Sequence, residues 1–267
     1  MSTILNKFDE RAKKVNSLVC VGLDAEISKL PEKFKALEFP QFEFNKFIIE
    51  ETHEFAAAYK PNSAFYEAQG EQGMKELKMT VDHLKENYPD IFTILDAKRA
   101  DIGNTNKGYV DSIYDWMGFD SVTVNPYLGF EAISPFTDRE DKVAIVLCKT
   151  SNPGSGEFQN LKVDGKDLWQ IVATSANTLL ENGKNVMMVT GATYPEEMSA
   201  VRKIAPQMTF LVPGVGAQGG KVEDFLSDGL REDKLGLMIN SSRGIIFAEN
   251  PKEEAKKLRD EINKYRS

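Results

Sequence analysis

Short apolar runs rich in β-branched residues recur along the chain at positions 18–23, 55–60, 92–98, 121–125, 143–148, 186–190, 208–212 and 236–240. Each ends in a polar or glycine-rich cluster, and a longer stretch of helical character follows. Near-continuous apolar runs, as opposed to alternating ones, mark parallel strands covered by helices on both faces. The run 55–60 is alanine-rich; it carries the weakest strand signal and also fits the tail of a helix. Between the runs, 44–55 places Phe44, Phe47, Ile48 and Phe55 near one stripe, and 168–180 repeats Leu168, Ile171, Val172, Ala176, Leu179 and Leu180 at helical spacing. The last helix has a written start: Asn250 suits the N-cap, Pro251 the first helical position, and Glu253 the place of a capping-box acid.

Eight strand–helix alternations predict an α/β fold of the (β/α)8 barrel type, a single domain over residues 1–267. The alternative is an open doubly wound sheet, which has fewer strands and often a Gly-x-Gly-x-x-Gly turn after the first. Here the first run ends Gly22-Leu23-Asp24-Ala25-Glu26, without that turn.

Charge narrows the partners. Lys and Arg number 33 against 41 Asp and Glu, a net charge of −8, which argues against nucleic acid as the main partner. One small anionic ligand in a local basic pocket remains compatible. Cys20 and Cys148 each lie inside an apolar run and read as buried free thiols of a reducing compartment. No stretch reaches the ~18 consecutive apolar residues of a membrane span, and residues 1–10 lack an apolar signal core. No membrane association and a cytoplasmic location are therefore expected.

In a barrel, chemistry gathers at the carboxyl ends of the strands. The third run ends Asp96-Ala97-Lys98-Arg99-Ala100-Asp101. Strand residues two apart share a face, so Asp96 and Lys98 enter the barrel together if that face is the inner one. An isolated buried charge is prohibitive, whereas a paired Asp and Lys are tolerated. A solvated loop edge is the other reading of the same residues. Lys60 and Asp24 end the second and first runs, giving Asp, Lys, Asp, Lys on three consecutive strands. The fifth run leads into the small-residue loop Thr150-Ser151-Asn152-Pro153-Gly154-Ser155-Gly156, suited to closing over a ligand. The seventh and eighth lead into Pro213-Gly214-Val215-Gly216-Ala217-Gln218-Gly219-Gly220 and Ser241-Ser242-Arg243-Gly244. Glycines that admit backbone N–H groups, with an Arg fork, suit a phosphate in the loops where barrels commonly hold one. His53 and His83 fall within helices and read as packed or surface residues. No His/Cys/carboxylate cluster has metal-ligand spacing, and no Ser-His-Asp arrangement is suggested.

These residues resemble a family. Asp96-x-Lys98-x-x-Asp101 with Ile102 and Thr105 is similar to the signature of orotidine 5′-monophosphate decarboxylase. Ser151-Asn152-Pro153-Gly154, Pro213 to Gln218 and Ser242-Arg243-Gly244 match its other motifs in order, and Lys60-Pro61-Asn62-Ser63-Ala64-Phe65-Tyr66-Glu67 resembles the longer bacterial subgroup. The resemblance implies a homodimeric barrel converting orotidine 5′-monophosphate to UMP and CO2 in pyrimidine biosynthesis without metal or organic cofactor. It implies Lys98 as proton donor, flanked by Asp96 and by Asp101 of the partner subunit. Lys60 and Asp24 would join the network and contact the ribose, as would Thr105 of the partner subunit. Ser151 would touch the pyrimidine, and Gln218 and Arg243 would grip the phosphate. Ile102, Pro213, Gly214, Gly219, Ser242 and Gly244 complete the motif positions expected at the substrate. The stretch 125–129 departs from the pattern; Asn125 is given a pocket-floor role, and 130–141 reads as an insertion of open function. Three rivals stand beside this reading: a metal-dependent sugar-phosphate enzyme on the same barrel, a Schiff-base aldolase, and a phosphate-ligand binding protein without turnover.

Overall fold

Parallel strands with buried residues on both faces close on themselves, because each is flanked by a neighbour and roofed by a helix. The computed structural model describes residues 3–191, 195–214 and 222–266. Its strands are β1 (Val19–Gly22), β2 (Ala56–Lys60), β3 (Phe92–Arg99), β4 (Ser121–Val124), β5 (Val143–Lys149), β6 (Val186–Thr190), β7 (Phe210–Val212) and β8 (Leu237–Ser241). They pair in parallel in chain order, and β8 returns to β1, so the expected single-domain barrel closes. The alanine-rich run is strand β2, every residue of it buried. Its small side chains let the Tyr59 ring fill the space beneath Ile49 and Thr52, to which its hydroxyl bonds.

The expected helices form with shifted ends. One runs Pro40–Thr52, earlier than 44–55, because Pro40 sits in its first turn. Another runs Leu168–Glu181 and starts with a reciprocal capping box between Asp167 and Gln170. The last runs Pro251–Asn263, with the Asn250 side chain accepting from the Glu253 N–H as the sequence suggests. A small antiparallel hairpin, Lys162–Val163 with Lys166–Asp167, lies between β5 and its helix and has no counterpart in the expected pattern. Residues 130–141 fill the helix position between β4 and β5. A single short turn of helix, Ser134–Thr137, takes that place, and Ile133 and Phe136 are buried in the core.

The helix Thr3–Lys14 crosses the amino end of the barrel. Lys7 reaches Asp120 just ahead of β4, and Arg11 donates to the Ala56 carbonyl at the start of β2. Two register shifts mark the opposite end. Leu95 opposes Val122 while Arg99 opposes Val124, so β3 carries two extra residues there. Leu147 opposes Val189 while Lys149 opposes Thr190, so β5 carries one. Bulges re-aim side chains and are frequent beside functional sites.

Candidate active site at the carboxyl end of the barrel

A cavity of about 340 Å3 opens at the carboxyl ends of the strands. It is lined by Asp24, Lys60, Asp96 and Lys98 on one wall and by Ser151, Pro213, Gly214, Ser242 and Arg243 elsewhere. The four charged residues singled out at the ends of the first three runs thus meet in one place.

The β3 bulge makes that meeting possible. Plain alternation is the wrong reason for it, since Asp96 and Lys98 stand within the two-residue insertion. Lys98 has φ +48, a left-handed conformation that costs a non-glycine residue of order 1 kcal/mol. Thr123 holds it there: its Oγ1 accepts from the Lys98 N–H at 2.9 Å and donates to Asp96 Oδ1 at 2.9 Å. Lys98 Nζ donates to the same Oδ1 at 2.6 Å. Asp96 Oδ2 accepts from Lys60 Nζ at 3.1 Å and from Asn62 Nδ2 at 3.2 Å. The Asn62 backbone N–H donates to Asp24 Oδ1 at 3.2 Å, which joins β1 to the network.

Both carboxylate oxygens of Asp96 are therefore matched. Burial pushes its carboxyl upward, but the Lys60 and Lys98 ammoniums more than offset this and hold it well below the usual carboxylate range. Lys60 is 4% exposed. Burial alone would lower its pKa, yet Asp96 and Asp24 raise it above the ordinary lysine value. Lys98 is different, with its side chain 49% exposed to the cavity mouth.

Close approach shapes the other walls. A Cβ on Gly22 would stand 2.6 Å from Ser242 Cβ, so a side chain there would push the 242–243 segment out of the cavity. A Cβ on Gly191 would lie 3.0 Å from Ser151 Cβ, so the glycine lets the loop after β5 settle against the end of β6. Gly214 has φ +94, which only glycine adopts without strain.

Several expected residues stand elsewhere. Asp101, Ile102 and Thr105 do not line this cavity. Strand β3 has ended before them; Asp101 Oδ1 accepts from the Ile102 N–H, Asn106 clasps the Asp101 backbone, and Ile102 is 64% exposed. Gly244 follows Arg243 into the short helix Arg243–Ile246 and is likewise not on the cavity wall. Asn125 is not its floor: the side chain caps the turn Pro126–Leu128, accepting from the Tyr127 N–H, and borders a separate apolar cavity of about 500 Å3. The adjacent proline sets that turn and takes the amide with it. Gln218 and Gly219 lie outside the described residues. His53 packs on Tyr88 and His83 contacts Asn87, both remote from the cavity lining. Burial pushes both cysteine thiols up to about 12, which leaves them unreactive.

Sequence reasoning passed over Asn62, Thr123 and Asn240. Asn62 stood inside a quoted motif, two residues beyond Lys60. Thr123 is a polar side chain set between Val122 and Val124 in β4, a signal that went unused. Asn240 lines the cavity with a buried Oδ1 that has no hydrogen-bond partner among the described residues.

Comparison with known proteins agrees with the geometry. The pattern of the "Orotidine 5'-phosphate decarboxylase / HUMPS family" matches residues 17–258. The chain is 45% identical to orotidine 5′-phosphate decarboxylase of Flavobacterium johnsoniae, over 96% of this chain and 93% of that protein. It is 47% identical to the enzyme of Christiangramia forsetii, over 90% of this chain and 87% of that protein. The structure of Leishmania donovani OMP decarboxylase superposes with a TM-score of 0.88 at 40% identity, covering 100% of this chain and 99% of that one.

Proposed function

Because the chain belongs to the orotidine 5′-phosphate decarboxylase / HUMPS family, we infer from its site that it decarboxylates orotidine 5′-monophosphate to UMP and CO2, a step of pyrimidine biosynthesis. One observation carries the choice within the family: Asp96 lies between two ammoniums, with both carboxylate oxygens already taken. A metal-dependent sugar-phosphate enzyme needs such a carboxylate free for its ion. A Schiff-base aldolase needs a lysine whose amine is easily deprotonated, whereas the Asp96 and Asp24 charges hold Lys60 the other way.

The chemistry follows from the charges. Breaking the bond between the pyrimidine ring and its carboxylate leaves the electron pair on the ring carbon. The Lys98 ammonium attracts that developing charge and then gives it a proton, while CO2 departs; lysine recovers its proton from water. Lys60 keeps Asp96 ionised and in place, so Lys98 is aimed before substrate binds. Arg243, with Gln218, takes the phosphate, and Ser151 faces the pyrimidine. Binding energy gathered at the phosphate is used for orientation at the reacting carbon.

Lys98 being half exposed fits a site completed by a second copy. In this reading the enzyme is a homodimer in which Asp101 and Thr105 of the partner subunit, with Ile102 beside them, reach into the cavity. The exposed Ile102 is a natural part of such a contact. Among the described residues no helix is long and apolar enough to cross a membrane, and the reading assigns the enzyme to the cytoplasm.

The test is loss of orotidine 5′-monophosphate absorbance with purified protein, with and without a chelator. Equal turnover in both supports the reading. No turnover refutes it, and turnover abolished by the chelator favours the metal-dependent relative.

A further inference from the structure

Strand β5 ends in a lysine that the reaction does not use. Lys149 is 2% exposed, immediately before the cavity-lining residues Thr150, Ser151 and Asn152. An ammonium so placed is costly unless it is paired and hydrogen-bonded. Any apolar side chain would fill the same space at lower cost, so its partners should explain its presence. Lys149 Nζ donates to Asn160 Oδ1 at 2.7 Å and stands 3.3 Å from Glu197 Oε1.

Those partners come from two places. Asn160 is the C-cap of the short helix Gly156–Gln159, where the loop that begins at Thr150 comes back. Glu197 lies in the first turn of the helix Pro195–Ile204 that follows β6. Beside Asn160, Gln159 grips the loop's start: its Oε1 accepts from the Thr150 N–H at 2.9 Å and its Nε2 donates to Thr150 Oγ1 at 2.8 Å. Thr150 Oγ1 is in turn 2.6 Å from Asn152 Oδ1. Both ends of the segment 150–160 are therefore tied together, and Ser151 and Asn152 sit within it. The one-residue bulge at Cys148 turns Lys149 toward this tie.

We propose that Lys149 is a positioning residue for substrate binding: through Asn160 it closes the 150–160 loop in advance, so that Ser151 and Asn152 already face the cavity when substrate arrives. The proposal rests on the decarboxylase reading of the cavity. A loop ordered beforehand adds no ordering cost to binding, and a loop released from its tie does. The loss should then appear in KM and in nucleotide affinity, with the chemical step at Lys98 little changed.

The test compares Asn160→Ala, which removes the acceptor, with Asn160→Asp, which keeps an oxygen in place. Neither change empties the core, and both leave Lys149 its Glu197 partner. In Asn160→Ala, kcat/KM for orotidine 5′-monophosphate and UMP affinity by calorimetry should each fall about tenfold, the worth of one hydrogen bond to a charged group. The kcat should stay within about twofold, and amide hydrogen exchange should quicken in 150–160 alone. Asn160→Asp should restore all three. Lys149→Met should show the same pattern where it folds; unfolding of that variant leaves the decision to the Asn160 pair. Unchanged exchange and KM in Asn160→Ala, or a tenfold loss confined to kcat, would overturn the proposal. Failure of the wild-type protein to turn over substrate would refute the decarboxylase reading instead, and the exchange contrast would still decide whether the tie holds the loop.

Discussion

At the amino end of the barrel, Arg231 has a side chain 3% exposed and donates to Asp9, to Asp233 at 3.0 Å and to the Gln207 carbonyl. At the carboxyl end, Lys98 is 49% exposed, has left-handed backbone and, among the described residues, makes one ion pair, with Asp96. The amino end repeats its pattern. Arg202 donates to the carbonyls of Gly229, Ala205, Pro206, Met208 and Gly236, and Arg11 joins Asp90 to the start of β2. A cavity of about 710 Å3 lies there as well, larger than the one at the carboxyl end. Its cations Lys7, Arg11 and Lys14 are already engaged with Asp120 and Asp90. Size therefore does not locate the chemistry. A guanidinium satisfied by carbonyls fastens elements together, while an ammonium held on strained backbone with one face open can act on something else.

The two ends should respond to substitution in opposite ways. Lys98→Ala should give the largest change: turnover should fall by about 10^4-fold or more, since both charge stabilisation and the proton are lost. Its unfolding free energy should move by no more than about 1 kcal/mol, as for an exposed pair, and UMP binding should remain measurable by calorimetry. Near-normal turnover in this variant would remove Lys98 from the chemistry. Arg231→Met should reverse the pattern. It leaves Asp9 buried without its partner, so urea unfolding should show a loss of about 3–5 kcal/mol, while kcat at a temperature where the variant is folded stays near wild type. A large loss of kcat in the folded variant would erase the contrast between the ends.

A smaller effect separates the network's charges by pH. The Asp96 carboxyl titrates below its unfolded range, so its stabilisation is complete above about pH 4 and is lost as pH falls through the folded value. The gap in unfolding free energy between wild type and Asp96→Asn should then be flat from about pH 8 to about pH 5 and shrink below about pH 4. A gap already closing between neutral pH and pH 5 would show that the ammoniums do not hold the carboxylate.

The barrel was legible because its strands are apolar on both faces and each stops at a polar cluster; even the alanine-rich β2 kept that spacing. The Asp and Lys residues were legible for the same reason, as charges directly after buried strands. What escaped was local geometry. A period of two cannot register the extra residues at Asp96–Lys98 or at Cys148, so neither the role of Thr123 nor the tie between Lys149 and Asn160 could be read. Asn125 ends its run just as Lys60 does, but Pro126 bends the chain and the amide caps that bend. The end of β3 did reveal that Asp101 falls off the inner face, and in the structure it stays out of its own cavity.

That last point allows the most direct test of a carboxyl-end site left incomplete within one chain. Lys98→Ala and Asp101→Ala proteins, each inactive alone, are mixed in equal amounts, and subunit exchange is verified with differently tagged chains. If Asp101 serves the partner's barrel, each heterodimer has one doubly damaged site and one intact site. Half the dimers are heterodimers, so about a quarter of wild-type activity should return, as two-fold symmetry requires. Verified exchange with no recovered activity would contradict the shared site and would assign Asp101 to its own chain.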